Sequence, residues 1–193
     1  MMGRAIAVFA LWLALLTLAS APQAQARGRF PDEHDDLIRE AAERYMPGIP
    51  WRVYKAQLYQ ESQLNPDAVS PVGARGIAQF MQGTWADIAP AVGARGVTPH
   101  AVGPAIRGGA LYMARLRAEW TAPRPAKDRH GLALASYNAG LGNILAAQRK
   151  AGGANRYDAI IAKLHRVTGR HATETRQYVR RTYRWFWAML TGG

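Results

Sequence analysis

Residues 51–85 read WRVYKAQLYQESQLNPDAVSPVGARGIAQFMQGTW, and the fold turns on this stretch. It begins as a helix. Pro50 stands where a helix can start, and Asn65-Pro66 marks a stop. Trp51, Tyr54 and Leu58 recur at helical spacing and mark one apolar face. The next position on that face is occupied by Glu61. An ionised carboxyl on an apolar face is costly, so burial should raise its pKa. A glutamate that keeps its proton near neutral pH can donate it to a leaving oxygen. By spacing alone the plainer reading comes first: a half-solvated glutamate at a helix end, or one paired with an arginine.

The loop after Pro66 is rich in small residues. Gly73, Ala74 and Gly76 allow the backbone to approach another surface closely, either a ligand or simply the next helix. The pentapeptide VGARG occurs at 72–76 and again at 92–96. One repeated pentapeptide is not a repeat architecture, and it reads as coincidence.

Five blocks then occur in order: Glu61-Ser62, Ser70-Pro71-Val72-Gly73-Ala74, Gly76-Ile77-Ala78-Gln79-Phe80-Met81, Ser136-Tyr137-Asn138-Ala139-Gly140 and Glu174-Thr175-Arg176-Gln177-Tyr178-Val179. Together they resemble the soluble lytic transglycosylase (SLT) domain, and they span most of the chain beyond residue 26. The resemblance implies a mainly α, lysozyme-like fold akin to goose-type lysozyme, with little or no β-sheet. It implies cleavage of the glycan strands of peptidoglycan, with Glu61 as the catalytic residue. It also implies that Gln79 hydrogen-bonds sugar, that Met81 lines the cleft and that Tyr137 lies close to Glu61. Ser62, Ser70, Asn138 and Glu174 fall in the same blocks and are carried over as substrate-binding residues. The chain departs from the pattern at Ile77-Ala78, where Leu-Met is common, at Gln82, where proline is common, and at Ser136, where alanine is usual. The small residue at 78 should alter the wall of the pocket.

Ordinary glycosidases use two carboxylates. Asp67 and Asp87 are nearest in sequence to Glu61, and neither sits in a recognisable motif. The resemblance instead implies one glutamate used twice, as acid and then as base, leaving a 1,6-anhydro sugar. Two other readings stay open here: a hydrolysing goose-type-like lysozyme, and an inactive basic protein that binds peptidoglycan. No cofactor is expected. The five histidines are scattered, with no pair at metal-ligand spacing.

The 193 residues allow one domain with a proper core, and the absence of cysteine excludes a disulfide framework or a thiol nucleophile. Met1 to Ala26 reads as a secretory signal. Arg4 precedes an apolar run from Ala5 to Ala19, and Ala24-Gln25-Ala26 is a small-x-small cleavage site. That run is short of the about 20 residues of a comfortable span. The expectation is a periplasmic or secreted protein with a single SLT-like catalytic domain over 27–193 and no membrane span after cleavage. A net charge of +12 points to an anionic partner. An exported protein meets little nucleic acid, so peptidoglycan strands with their carboxylate-bearing peptides are the expected partner. The protein is expected as a monomer, with cell-envelope machinery left open as a further partner.

The remaining elements follow from pattern. Helices are expected at 32–45, 84–91, 99–121, 130–140 and 155–167, with a last one capped by Thr173. Asn138 is read as a natural left-handed helix stop. Tyr137 could point its hydroxyl at a carboxyl. The last helix carries Val179, Tyr183, Phe186 and Leu190 on one face and Tyr178, Trp185 and Met189 on another, which suggests burial on two sides. A membrane-surface role for Trp185 and Trp187 is the second reading of that helix.

Overall fold

The computed structural model describes residues 30–192. The expected signal segment at 1–26 lies outside them. The described chain is built from helices: α1 (Asp35–Tyr45), α2 (Trp51–Ser62), α3 (Gln82–Ile88), α4 (Val102–Ala118), α5 (Ala126–Ala139), α6 (Leu141–Lys150), α7 (Tyr157–Ile161), α8 (His165–Thr168) and α9 (His171–Thr191). A short 3-10 turn, Ala89–Val92, follows α3. No strand forms among the described residues. Only the isolated bridges Val69 to Arg75 and Arg75 to Phe80 pair backbone in the extended sense. The expectation of a mainly α fold with little or no β-sheet is met among the described residues.

The central helix is α2. Val53 through Leu58 are all buried, so it is enclosed on every side rather than on one face. It packs against α9 on one side and α1 on the other. Charge joins α1 to α2, because Asp35 pairs with Lys55, whose side chain is only 6% exposed. That pair is a buried one, stabilising only because the partners meet closely. α4 comes near enough to α2 for the Tyr54 hydroxyl to donate to the Ile106 carbonyl at 2.6 Å. Gly109 makes the approach possible, since a Cβ there would sit 2.4 Å from the Tyr54 oxygen. The core face expected for α4 is correct: Ile106, Ala110 and Met113 are fully buried and Leu116 nearly so.

Several boundaries differ from the sequence reading. The helix expected at 99–121 begins at Val102, because Thr98 uses its hydroxyl to accept from His100 N in a turn. α6 was not anticipated at all, yet Ile144 and Ala147 enter the core. The single helix expected at 155–167 is two short ones. Lys163 and Leu164 donate to carbonyls three residues back, which breaks the α-helical ladder between α7 and α8. The turn lets Ile160, Ile161 and Leu164 all face the core. α9 starts at His171 and has no side-chain cap, so Thr173 does not cap it. Its final turns are not buried on two sides, since Trp187 is 62% and Leu190 47% exposed. Trp185 does turn inward. Its ring meets Tyr59 and Phe30 edge-on, and its Nε1 donates to Gln60 Oε1.

The repeated VGARG is not a coincidence in form. Both copies put both glycines at positive φ, bury the alanine and donate from the first glycine N to a carbonyl three residues back. The same five residues dictate the same turn twice.

Candidate active site

Glu61 lies one residue before the end of α2. The chain after it turns left-handed at Gln63 and Leu64, with φ of 57° and 65°. This abrupt exit exposes the end of α2 to the loop 68–81 on one side and to α9 on the other. The Tyr178 hydroxyl, from α9, donates to Glu61 Oε1 at 2.5 Å. Burial raises the Glu61 pKa from 4.5 to about 7, and the Tyr178 hydrogen bond partly opposes that rise. Burial and the adjacent carboxyl push the Tyr178 phenol well above its ordinary range, so it remains a donor.

Tyr137 behaves differently from expectation. Its hydroxyl donates to the Ala78 carbonyl at 2.6 Å, not to Glu61. The Glu61 charge still reaches it, raising the phenol after burial has done so. Tyr137 is therefore a neighbour of the carboxyl that ties α5 to the loop. The residue that touches Glu61 lies 117 positions along the chain from it. Tyr178 stands in the last of the sequence blocks, but nothing in its spacing distinguished it from a core aromatic of α9.

The loop 68–81 is held by the other candidates. Ser62 Oγ donates to the Ile77 carbonyl at 2.8 Å, which pins the loop to α2. Ser70 Oγ accepts from Ala74 N at 3.0 Å and so closes its own turn. Gln79 sits at φ 49°, a left-handed conformation that costs a non-glycine residue about 1 kcal/mol or more. Its Nε2 donates to the carbonyls of Gly76 and Ala68, at 2.9 and 3.2 Å. The amide carbonyl oxygen is the part with no protein partner among the described residues. Met81 precedes α3 and is 47% exposed, an apolar side chain left uncovered beside the loop.

Asn138 and Glu174 do come together. Both line a pocket of about 410 Å³ between the end of α5 and the start of α9. Asn138 is not the left-handed helix stop, because α5 runs to Ala139 and Gly140 takes the positive φ of 85°. Glu174 is 64% exposed and 3.6 Å from His171 Nδ1, so it is a solvated acid unlike Glu61. Among the described residues no group of three or more His, Asp or Glu could hold a metal ion.

A family model described as the Transglycosylase SLT domain matches residues 36–160, well over half of the chain. The chain belongs to the SLT family. Tyr178 lies beyond the matched segment. Membrane-bound lytic murein transglycosylase F of Serratia proteamaculans is 37% identical to this SLT chain over 113 residues, 58% of the chain and 22% of the relative. The protein of the same name from Yersinia pestis is 37% identical over 108 residues, 55% of the chain and 21% of the relative. The chain thus spans about a fifth of the length of the curated relatives it matches. Among solved structures, the 70 kDa soluble lytic transglycosylase of Escherichia coli is 26% identical with a TM-score of 0.64, covering 85% of this chain and 25% of that one. Lytic transglycosylase Slt of Pseudomonas aeruginosa, solved as an inactive mutant with a glutamate changed to glutamine, is 27% identical with a TM-score of 0.60. That match covers 82% of this SLT chain and 24% of the other.

Two substitutions separate the tyrosines. Tyr178→Phe removes the only hydroxyl bonded to Glu61 among the described residues. It should raise the Glu61 pKa further above 7 and lower the rate about ten- to a hundredfold, the worth of one hydrogen bond to a charged group. The alkaline limb of the pH–rate profile should move up with it. Tyr137→Phe should leave that limb where it is and instead lower stability by about 1–3 kcal/mol, because the Ala78 carbonyl loses its donor. Paired pH–rate and urea-unfolding curves check both.

Proposed function

We propose that this chain is a peptidoglycan lytic transglycosylase acting in the periplasm or outside the cell. Glu61 protonates the oxygen joining N-acetylmuramic acid to N-acetylglucosamine. The resulting carboxylate takes the proton of the C6 hydroxyl of the same muramic acid, and that oxygen attacks C1. The β-1,4 bond breaks, a 1,6-anhydro-N-acetylmuramic end forms, and no water is consumed. The attack is intramolecular, so it draws on proximity rather than on a captured water. The substrate N-acetyl group stabilises charge at the ring.

The observation that carries this reading is the balance at Glu61. Burial favours its protonated form and the Tyr178 hydroxyl favours its ionised form, which leaves the pKa at about 7. A group poised there can give a proton in one step and take one in the next. Gln79, Met81, Ser62, Ser70, Tyr137, Asn138 and Glu174 are proposed to hold the glycan or the loop that meets it. The family, the named relatives and the solved neighbours support the same activity. Among the described residues no helix is long and apolar enough to cross a membrane.

Mass spectrometry of digested peptidoglycan tests the proposal. New muramic ends lighter by one water than hydrolytic ends are expected. Hydrolytic ends alone would make the chain a lysozyme, and an unaltered glycan would leave it a wall-binding protein.

A further inference from the structure

One cavity among the described residues does not include Glu61 in its lining. It measures about 590 Å³ and opens where α5, α7 and α9 meet. Its α9 wall is formed by Arg176, Val179, Arg180 and Tyr183. A helix turns about 100° per residue, so these positions point roughly 100–160° away from Tyr178. The cavity therefore lies behind α9, on the side turned away from Glu61.

Its charges do not balance. Lys127, Arg156, Arg176 and Arg180 line it, against Asp128 and Asp158. Asp128 is already engaged: it pairs with Arg156 Nε at 2.5 Å and accepts from Tyr157 N at 3.2 Å. Lys127, Arg176 and Arg180 have no ion-pair partner among the described residues and share the single acid Asp158. Arg117 adds to the field from behind Tyr183. Its charge partly offsets the rise that burial imposes on that phenol, and its own hydrogen bond goes to His130 Nδ1 rather than to an acid. Arg176 and Arg180 stand four apart on one helix, a like-charge spacing that is destabilising with nothing between them. The walls suit a ligand with a body. Tyr157 lies against the bare backbone of α5, since a Cβ on Gly131 would be 3.1 Å from its ring. Tyr183 closes the opposite side.

We propose that this cavity is an anion-binding site distinct from the Glu61 cleft. It takes a carboxylate or phosphate group carried on a small organic body, with Arg176 and Arg180 on the anion and the two tyrosines on the body. Guanidinium forks match both oxyanions with paired hydrogen bonds. At a cell envelope such a group comes from wall peptides, as carboxylate, or from phosphorylated envelope components. The proposal goes beyond the reading of Glu61 and does not require it.

The test measures binding directly, so it is independent of glycan cleavage. The full chain is titrated by calorimetry with inorganic phosphate in one arm and with an N-acetylated glutamyl dipeptide in the other. Saturable binding in at least one arm is expected, and the stronger arm identifies the source. The Arg176→Gln/Arg180→Gln double variant should weaken that binding at least tenfold. Both side chains are exposed, so the variant should melt like the parent. A matched variant, Arg44→Gln/Arg149→Gln, removes the same charge from exposed positions away from the cavity and should bind as the parent does. Equal weakening in the two variants would mean general attraction to a basic protein and overturn the site. Absence of saturable binding in both arms would overturn it as well.

Discussion

Glu61→Gln should abolish glycan cleavage and at the same time make the protein more stable above neutral pH. The activity loss follows from removing the proton donor. General acid–base catalysis supplies about 10²–10⁴-fold, and a residue used in both steps should reach the top of that range or exceed it. The stability gain follows from the same burial that makes the glutamate useful. Its pKa is 4.5 in an unfolded chain and about 7 in the fold. Between those values the folded state holds the proton more tightly, so stability falls as pH rises from 4.5 and the loss is complete above 7. At about 1.4 kcal/mol per pKa unit the loss is at most about 3–4 kcal/mol, and water reaching the partly exposed residue lowers it. Glutamine does not ionise, and its carbonyl can still accept from Tyr178. Urea unfolding should show the variant ahead of the parent at pH 8 and level with it well below pH 4.5. Near-parental activity in a folded variant would remove Glu61 from the mechanism.

Gly76→Ala should unfold or nearly unfold the site. Gly76 has φ 76°, and a Cβ there would lie 1.9 Å from the Pro99 carbonyl oxygen. That oxygen is backbone and cannot swing aside as a side chain would. Left-handed strain and the forced shift together cost about 3–5 kcal/mol, a large part of a domain's 5–15 kcal/mol. The damage should spread to function, because Gly76 N donates to Ala68 O and the Gly76 carbonyl holds Gln79. Gly73→Ala is the control. Its φ is 85°, yet nothing lies within 4 Å of the added Cβ, so only the backbone cost of about 1 kcal/mol remains. Midpoints of urea unfolding should separate the two by several-fold in cost. Equal costs would mean that the contact with Pro99 gives way easily.

Gly76 also shows which of two readings of the glycine loop the fold selected. The sequence allowed a close approach either to a ligand or to the next helix. At Gly76 the close approach is internal, to the residues leading into α4. At Gly73 the surface is open.

Local order carried much of the fold. The spacing of Trp51, Tyr54 and Leu58 put Glu61 next on an apolar helical face, but by spacing alone a half-solvated glutamate came first, and the resemblance was needed to make it the catalytic residue. Helical spacing also marked the core face of α4. The pattern failed where short-range signals compete. α6 follows Gly140 directly, and the break between α7 and α8 exists because three apolar residues must reach one core. Exposure of the end of α9 also depended on what the rest of the chain leaves uncovered. The partner of Glu61 could not be read at all. Tyr137 and Tyr178 are both phenols near one carboxyl; the docking of α9 against α2 sends the hydroxyl of Tyr178 to Glu61, and the place of α5 beside the loop 68–81 sends that of Tyr137 to Ala78. A hydrogen bond requires heavy atoms within about 3 Å of each other. Periodicity specifies a face of a helix, whereas an alignment that fine arises only when helices distant in sequence pack together.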